Sequence, residues 1–298
     1  MTSRTIDIML PFYGRTDHFV AAVESVLAQS DPDWHLTIID DANPDPAGVE
    51  WAASLDDERI EIRRNASNRG INASFQECVA LSTRSLVTIF GCDDFMRPNY
   101  VARVKALAIE YPEASMIHPG VQIIDADGAP ATTLVDTAKR FYRPSARGRS
   151  VLLSGEALAR SVIRGNWMNF PAVAWDGASL RSVGFRPGYH VVQDLALVID
   201  LCIRGGGLLV DDVVAFEYRR HVSSVSSWRA KDGSRFVEEG DYFREVASLF
   251  AAQSWRKAER AARVHLSSRI NALTMLPAAL RAGDAKSAKV LSRHVIFA

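Results

Sequence analysis

Apolar residues in the first part of the chain fall in short runs separated by stretches with helical spacing. Ile6 to Leu10 is continuously apolar but for Asp7 and is stopped by Pro11 and Gly14, as a buried strand requires. From His18 to Gln29 the apolar positions Phe19, Val23, Val26 and Leu27 share one helical face. Trp34 to Ile39 repeats the strand pattern and ends in the acidic turn DDANPDP. A short helix is expected over Glu50 to Leu55 and a strand over Ile60 to Arg63. A helix over Asn72 to Leu81 and an apolar strand over Leu86 to Phe90 follow, the strand running into GCDDFMRP. Asn99 to Tyr111 reads as helix and Ser115 to Ile124 as strand. Strands alternating with helices predict a Rossmann-like sheet joined by crossover helices, with ligands at the carboxyl ends of its strands.

Beyond this series the pattern loosens. Ala126 to Arg149 is rich in turn formers and charge and reads as a loop excursion or flap. Gly155 to Arg164 is helical, and Asn166 to Ala174 leads into an irregular, aromatic-rich segment. A helix runs from about Asp194 to Arg204, then Leu208 to Val214 and Ala215 to Arg219 are extended. From Phe236 onward the spacing is helical, with breaks near Ser254 and at Gly283-Asp284. The fold class expected is α/β, a Rossmann-like mixed sheet flanked by helices, with a C-terminal helical extension. The division expected is 1–125, 126–235 as the second half of the same domain, and 236–298 as the extension.

Composition narrows the picture. The 298 residues carry 35 Lys+Arg against 35 Asp+Glu, and a zero net charge gives no general attraction to nucleic acid. Cys78, Cys92 and Cys202 are too far apart for a zinc knot or a disulfide framework, which favours a reducing compartment. The short apolar start lacks the features of a signal peptide, and no window has the apolar length of a membrane span. A cytoplasmic protein is expected.

Two acidic pairs, Asp40-Asp41 and Asp93-Asp94, directly follow expected strands. Adjacent carboxylates repel and are costly to bury without a partner. A hard divalent cation bridging diphosphate oxygens is one natural partner. The plainer reading is two solvated turns whose aspartates cap the next helix.

In order, PFYGR, SVLAQS, TIIDDANPD, NRGINASFQECVALS and GCDDFMRPNY resemble the nucleotide-binding half of family 2 glycosyltransferases, which have the GT-A fold. Together the segments are specific, although each alone is weak. NFPAVAW, the run SVGFRPGYHVVQDLALVIDLCIRGG and YRRHVSSVS resemble the acceptor side of that family. The resemblance implies an inverting transfer from a UDP- or dTDP-linked sugar to a glycan, lipid-linked or small-molecule acceptor, with Mn²⁺ or Mg²⁺ as cofactor. It implies that Pro11, Phe12 and Tyr13 line the nucleoside pocket and that Asp41 accepts from the base. Asn68 and Arg69 would lie near the nucleotide, with Arg69 in reach of a phosphate. Asp93 would hold the ribose side, Asp94 would ligate the metal, His221 would sit by metal or diphosphate, and Asp194 would be the general base.

Three positions depart from the family pattern. The usual DxDD run is Gly91-Cys92-Asp93-Asp94, so the metal would rest mainly on Asp94. The usual Glu-Asp is Gln193-Asp194, and the usual DDGS turn continues from Asp41 as Ala42-Asn43. Asp194 also opens an apolar helical run, where a capping role accounts for an Asp equally well. Trp167 and Trp175 read first as core, with sugar stacking in the acceptor half the second reading for Trp175. A nucleotidyltransferase on a related fold stays open, although PFYGRTDHF lacks a Gly-rich basic loop, and so does a non-catalytic nucleotide-sugar-binding module.

From Trp255 to the end, nine Lys/Arg stand against Glu259 and Asp284, and Leu266, Ile270, Leu273, Leu276 and Leu280 follow helical spacing. A hairpin packed on the catalytic domain with a solvated basic face accounts for this. Peripheral docking on anionic lipid, at the inner face of the membrane, is the alternative. A homodimer is also left open.

Overall fold

The computed structural model describes residues 5–146, 148–220 and 233–297. Ile6–Phe12 (β1), Trp34–Asp40 (β2), Ile60–Arg64 (β3) and Leu86–Ile89 (β4) form a parallel half-sheet in the order β3-β2-β1-β4. Thr16–Leu27 (α1), Ala47–Ser54 (α2) and Ile71–Leu81 (α3) make its crossovers. These elements lie within a few residues of the apolar runs that forecast them.

The other half is mixed. Phe95–Met96 (β5), Tyr100–Glu110 (α4) and Ala114–Ile124 (β6) come next. Leu134–Tyr142 (α5) is a helix inside the stretch expected to be a loop. Its start is a capping box, with the Thr133 side chain accepting from the Asp136 N–H and Asp136 accepting back from the Thr133 N–H. Val151–Leu153 (β7), Gly155–Arg164 (α6), Ala174–Asp176 (β8) and Gly177–Val183 (α7) precede Gln193–Ile203 (α8). The single long strand Gly207–Arg219 (β9) replaces the two extended segments expected there. The short β8 runs antiparallel between β4 and β6, β6 and β9 run parallel, and β5 and β7 pair antiparallel with β9. The sheet is therefore mixed and not purely parallel.

Alternation along the strands sends side chains into two cores. Ile6, Ile8, Leu10 and Phe12 pack on one face with Phe19 and Val23 of α1 and Val101 and Val104 of α4. Met9, Val87 and Ile89 face the other way, onto α6 and α8. Asp7 is the polar exception in β1. Its carboxylate accepts from the N–H groups of Thr83 and Arg84 at 2.7 and 2.8 Å, so it anchors the entry to β4.

The C-terminal region divides physically. Ser234–Ala252 (α9) and Arg256–Val264 (α10) contribute Tyr242, Val246, Phe250, Ala258 and Ala262 to the α6–α8 core. They complete the main domain. Leu266–Arg281 (α11) and Ala285–Phe297 (α12) build a small separate core with Phe236, around Ala272 and Leu291. On α11 the apolar positions Leu266, Ile270, Leu273 and Leu280 are 55%, 49%, 53% and 63% exposed. Of the spaced apolar positions only Leu276 turns inward. The stripe expected to pack on the catalytic domain thus faces out.

Gly120 of β6 sits where β9 bulges. A Cβ there would lie 2.7 Å from the Asp212 carbonyl oxygen and 2.8 Å from the Val213 carbonyl carbon. Backbone cannot yield as a side-chain tip does, so Gly120→Ala is expected to destabilise the fold by about 1–3 kcal/mol, the usual range for overpacking. A lowered urea midpoint at unchanged slope would register it; an unchanged midpoint would show that the bulge yields.

Candidate active site

The loops at the carboxyl ends of β1, β2 and β3 are tied into one surface. Asp40 is fully buried and serves structure: its carboxylate accepts from the Asn43 N–H at 2.7 Å and from Arg64 at 2.7 Å. Asn43 accepts from the Gly14 N–H at 3.1 Å and so joins the β1 and β2 loops. Between them Ala42 adopts φ +57, in the left-handed region that glycine occupies without cost. Asp41 faces the β3 loop. Its Oδ1 accepts from Asn65 and from the Arg69 N–H, and its Oδ2 from the Gly70 N–H, all at 2.9 Å. One carboxylate thereby shapes the turn that enters α3.

The nucleoside residues expected from sequence divide by exposure. Tyr13 is 56% exposed and presents its ring. Pro11 is buried. Phe12 is buried too, its ring stacked on Phe19 at 4.1 Å and its carbonyl accepting from the Asp41 N–H. Its ring face is therefore closed to a ligand, which corrects the expectation for that side chain. Asn68 is exposed, and the Arg69 guanidinium pairs with Glu77 at 3.0 Å instead of reaching into open space.

The second acidic pair follows β4. Asp94 is 1% exposed, and burial beside the Asp93 carboxylate drives its pKa well above the usual carboxylate range. Its Oδ1 accepts from the Arg219 N–H at 2.8 Å. The Arg219 guanidinium donates to the carbonyls of Asp93, Asp125 and Ala126 and lies 4.9 Å from the Phe95 ring centre. Gly91, where the family pattern has an acid, is occupied space. A Cβ there would stand 2.5 Å from Asp94 Oδ2 and 3.1 Å from Asp93 Oδ1. The missing acid is thus the condition for the present seat of the Asp94 carboxylate.

Asp194 is the second residue of α8. It is not the cap that its place in the sequence suggested, since Val192 occupies that position. Its Oδ1 accepts from the Leu195 N–H at 2.7 Å and its Oδ2 from Asn166 at 3.0 Å. Burial raises its pKa, against the lowering effects of those two bonds and of Lys139 nearby. Tyr218 of β9 marks the junction: burial raises its phenol, and Asp94, Asp93 and Asp194 are all near enough to raise it further. The hydrogen bond from the Arg219 N–H places Asp94 at the end of β9, and Asp194 acts on the same strand end through space.

Several participants escaped sequence reading. Glu238 of α9 accepts from three consecutive N–H groups, those of His190, Val191 and Val192, at 2.8, 2.6 and 2.9 Å. It fixes the loop that delivers Asp194, and nothing in the local pattern links the two segments. Glu245 of the same helix binds Arg186 and the Tyr189 hydroxyl, and Asn72 of α3 donates to the Tyr189 carbonyl. Arg220 pairs with Asp136. His221 lies outside the described residues. Trp175 is 0% exposed within the main core, so stacking on an acceptor sugar is excluded by packing and the core reading holds.

Among the described residues no group of three or more His, Cys, Asp or Glu forms a metal cage. Asp93 and Asp94 nevertheless suit a hard cation of the Mg²⁺ or Mn²⁺ type, which one or two carboxylates hold together with substrate phosphates and water.

A family model, glycosyl transferase family 2, matches residues 7–150. TuaG of Bacillus subtilis, named as a glycosyltransferase of teichuronic acid biosynthesis, is 23% identical over 84% of this chain and 92% of its own. EpsE of the same organism, named as a glycosyltransferase, is 24% identical over 41% of this chain, and the chain spans 45% of its length. Among solved structures, residues 1–349 of Staphylococcus aureus TarS, in complex with UDP-GlcNAc, superpose with a TM-score of 0.61 at 9% identity, over 98% of this chain and 90% of that one. A mannosyltransferase of Pyrobaculum calidifontis, in complex with GDP-Man and Mn²⁺, superposes with a TM-score of 0.62 at 17% identity, over 98% and 79%.

A methyl group at Gly91 must push the Asp94 carboxylate from its seat. Gly91→Ala is expected to weaken Mn²⁺-dependent nucleotide binding by roughly 10–100-fold, the usual effect of disturbing a metal ligand's support. Calorimetry with and without Mn²⁺ measures it, and equal affinities in the two proteins would detach Asp94 from donor binding.

Proposed function

Residues 7–150 carry a glycosyl transferase family 2 domain on a GT-A fold, and on that premise we propose an inverting transfer of a sugar from a UDP- or dTDP-sugar to an acceptor hydroxyl. The observation that carries the reading is the buried Asp94 carboxylate, with Asp93 beside it, held at the end of β9 by the Arg219 N–H, together with the buried Asp194, whose pKa is raised. The ligands of the two structural relatives, UDP-GlcNAc and GDP-Man, are both nucleoside-diphosphate sugars and support the donor class.

Asp94, with Asp93 beside it, would hold the Mg²⁺ or Mn²⁺ ion, which when bound offsets the charge gathering on the departing diphosphate. Tyr13 offers its exposed ring to the nucleoside. Among the described residues Asp41 Oδ2 accepts from Gly70 alone, and it keeps acceptor capacity for the imino N–H of uracil or thymine. Arg69 reaches a phosphate only by leaving Glu77. Asp194 takes the proton of the acceptor hydroxyl as that oxygen attacks the anomeric carbon opposite the diphosphate. Asn166 and the Leu195 N–H orient its carboxylate, and Glu238 holds the loop before it. A single base without a covalent nucleophile implies one displacement, hence inversion. The family match weighs against a nucleotidyltransferase, and the raised base weighs against an inactive binding module.

A base must be deprotonated to act. Because the Asp194 pKa is raised, activity should fall with decreasing pH at a point above the ordinary carboxylate range. Asp194→Asn is expected to lower transfer by roughly 10²-fold or more with donor affinity nearly unchanged. Initial rates across pH and the anomeric configuration of the product test this; near-wild-type turnover in Asp194→Asn, or retention, would overturn it.

The outward stripe of α11 supports a membrane-surface location. Leu266, Ile270, Leu273 and Leu280 are exposed beside the basic residues of the C-terminal helices. No described helix is long and apolar enough to cross a membrane. The exposed apolar stripe would enter the boundary of an anionic lipid surface, with basic residues meeting the headgroups. Flotation with anionic but not neutral liposomes, reversed by salt and by Leu273→Glu, is the expected result. Absence of flotation at low salt would exclude docking.

A further inference from the structure

A cavity of about 230 Å³ opens between α5, the middle of β6 and the bulge of β9. His118, Lys139, Arg140, Arg143 and Asn169 are among the residues that line it. Its unpartnered buried polar atoms, on His118 and Asn169, are donors. His118 is 1% exposed, and its Nε2 accepts from the Asn169 N–H at 3.1 Å. Burial and the nearby Arg143 and Lys139 push this ring down to about 3, so it is neutral and its proton sits on Nδ1. Among the described residues that Nδ1–H has no partner, and neither does the side-chain nitrogen of Asn169, which is 8% exposed. Two buried donors left unsatisfied in one cavity are unusual in a native fold and ask for an acceptor.

The charges ask for the same thing. Lys139 donates to the Met168 carbonyl at 3.0 Å, and among the described residues neither Lys139 nor Arg140 forms an ion pair. The two acids of the cavity wall are already committed, Asp136 to Arg220 and Asp212 to Arg143. What remains is a pair of unmatched cations and two neutral donors, a set that suits a group with acceptor oxygens only.

Position says which substrate brings that group. The segment from Asn166 to Asn169 binds Asp194 at one end and lines the cavity at the other. Lys139 acts on the Asp194 carboxylate through space. The nucleotide loops after β1, β2 and β3 contribute nothing to the cavity wall. We propose that this cavity is an anion subsite for the acceptor, so that the acceptor carries a carboxylate or phosphate close to the hydroxyl that is glycosylated. This inference rests on the glycosyltransferase reading and on Asp194 as its base.

The test uses the full chain with UDP and Mn²⁺ present at saturation, so that the donor pocket is filled. Glucuronate, inorganic phosphate and glucose are titrated by thermal shift and calorimetry. Glucuronate or phosphate is expected to bind saturably and glucose not, the better anion naming the source of the charge. Arg140→Gln, at an exposed position, and Asn169→Ala are each expected to weaken that binding by roughly tenfold, the usual scale for a hydrogen bond to a charged group. The inference is overturned if glucose binds as well as the anions, if chloride competes equally, if no anion binds, or if both folded variants bind like wild type. Hydrolysis of nucleotide sugars by the wild-type protein is assayed alongside. Hydrolysis without anion binding removes only the subsite, whereas absence of hydrolysis across a donor panel counts against the transferase reading itself.

Discussion

The N–H of Arg219 donates to the buried carboxylate of Asp94, and the remainder of the site is arranged around that contact. A carboxylate beside another carboxylate, out of water, is unfavourable unless donors or a cation meet it. Among the described residues, a hydrogen-bond donor meets it at Oδ1. Gly91 leaves the space in which the carboxylate lies, and the Arg219 guanidinium binds the carbonyls of Asp93, Asp125 and Ala126 around it. In doing so a single arginine fastens the turn after β4, the turn after β6 and the end of β9. The remaining unfavourable charge is what a divalent cation with a diphosphate would relieve.

The same logic of incomplete compensation extends outward. Asp194 has two hydrogen bonds and a nearby lysine, yet burial still raises its pKa. Lys139 is pushed down to about 8, chiefly by burial, with Arg220 adding to the effect. Such mismatches are costly in an empty protein and are concentrated here, between β6, β9 and α8. Elsewhere buried charge is matched: Asp7 by the N–H groups of Thr83 and Arg84, Asp211 by Arg103 at 2.7 Å, Asp40 by Arg64. That contrast separates the site from the scaffold.

The C-terminal helices belong to this arrangement more closely than a terminal extension suggests. Glu238 and Glu245 of α9 hold the segment 186–192, to which Asn72 of α3 also donates. Asp194 is thereby positioned by a helix more than forty residues further along the chain. Only α11 and α12 stand apart, on a small core of their own.

Sequence alone determined the period of the structure. Runs such as Ile6–Leu10 and Leu86–Phe90 specify strands, and the faces of α1 and α3 specify helices, because periodicity is a local property that burial reads directly. It also placed Asp41, Asp93, Asp94 and Asp194 at element ends, where ligands gather. It did not distinguish Asp40 from Asp41, adjacent acids of which one is locked by Arg64 and the other faces the loop into α3. It did not say that the rings of Phe12 and Trp175 turn inward. The helix α5 had a local signal, Thr133 with Asp136, outweighed by the surrounding turn formers. The seat of Asp94 against Arg219, the support of Glu238 and the unmatched donors around His118 were decided only in three dimensions. Each depends on which face of one element packs against a distant other, and that is a matter of space and charge between segments that no local pattern records.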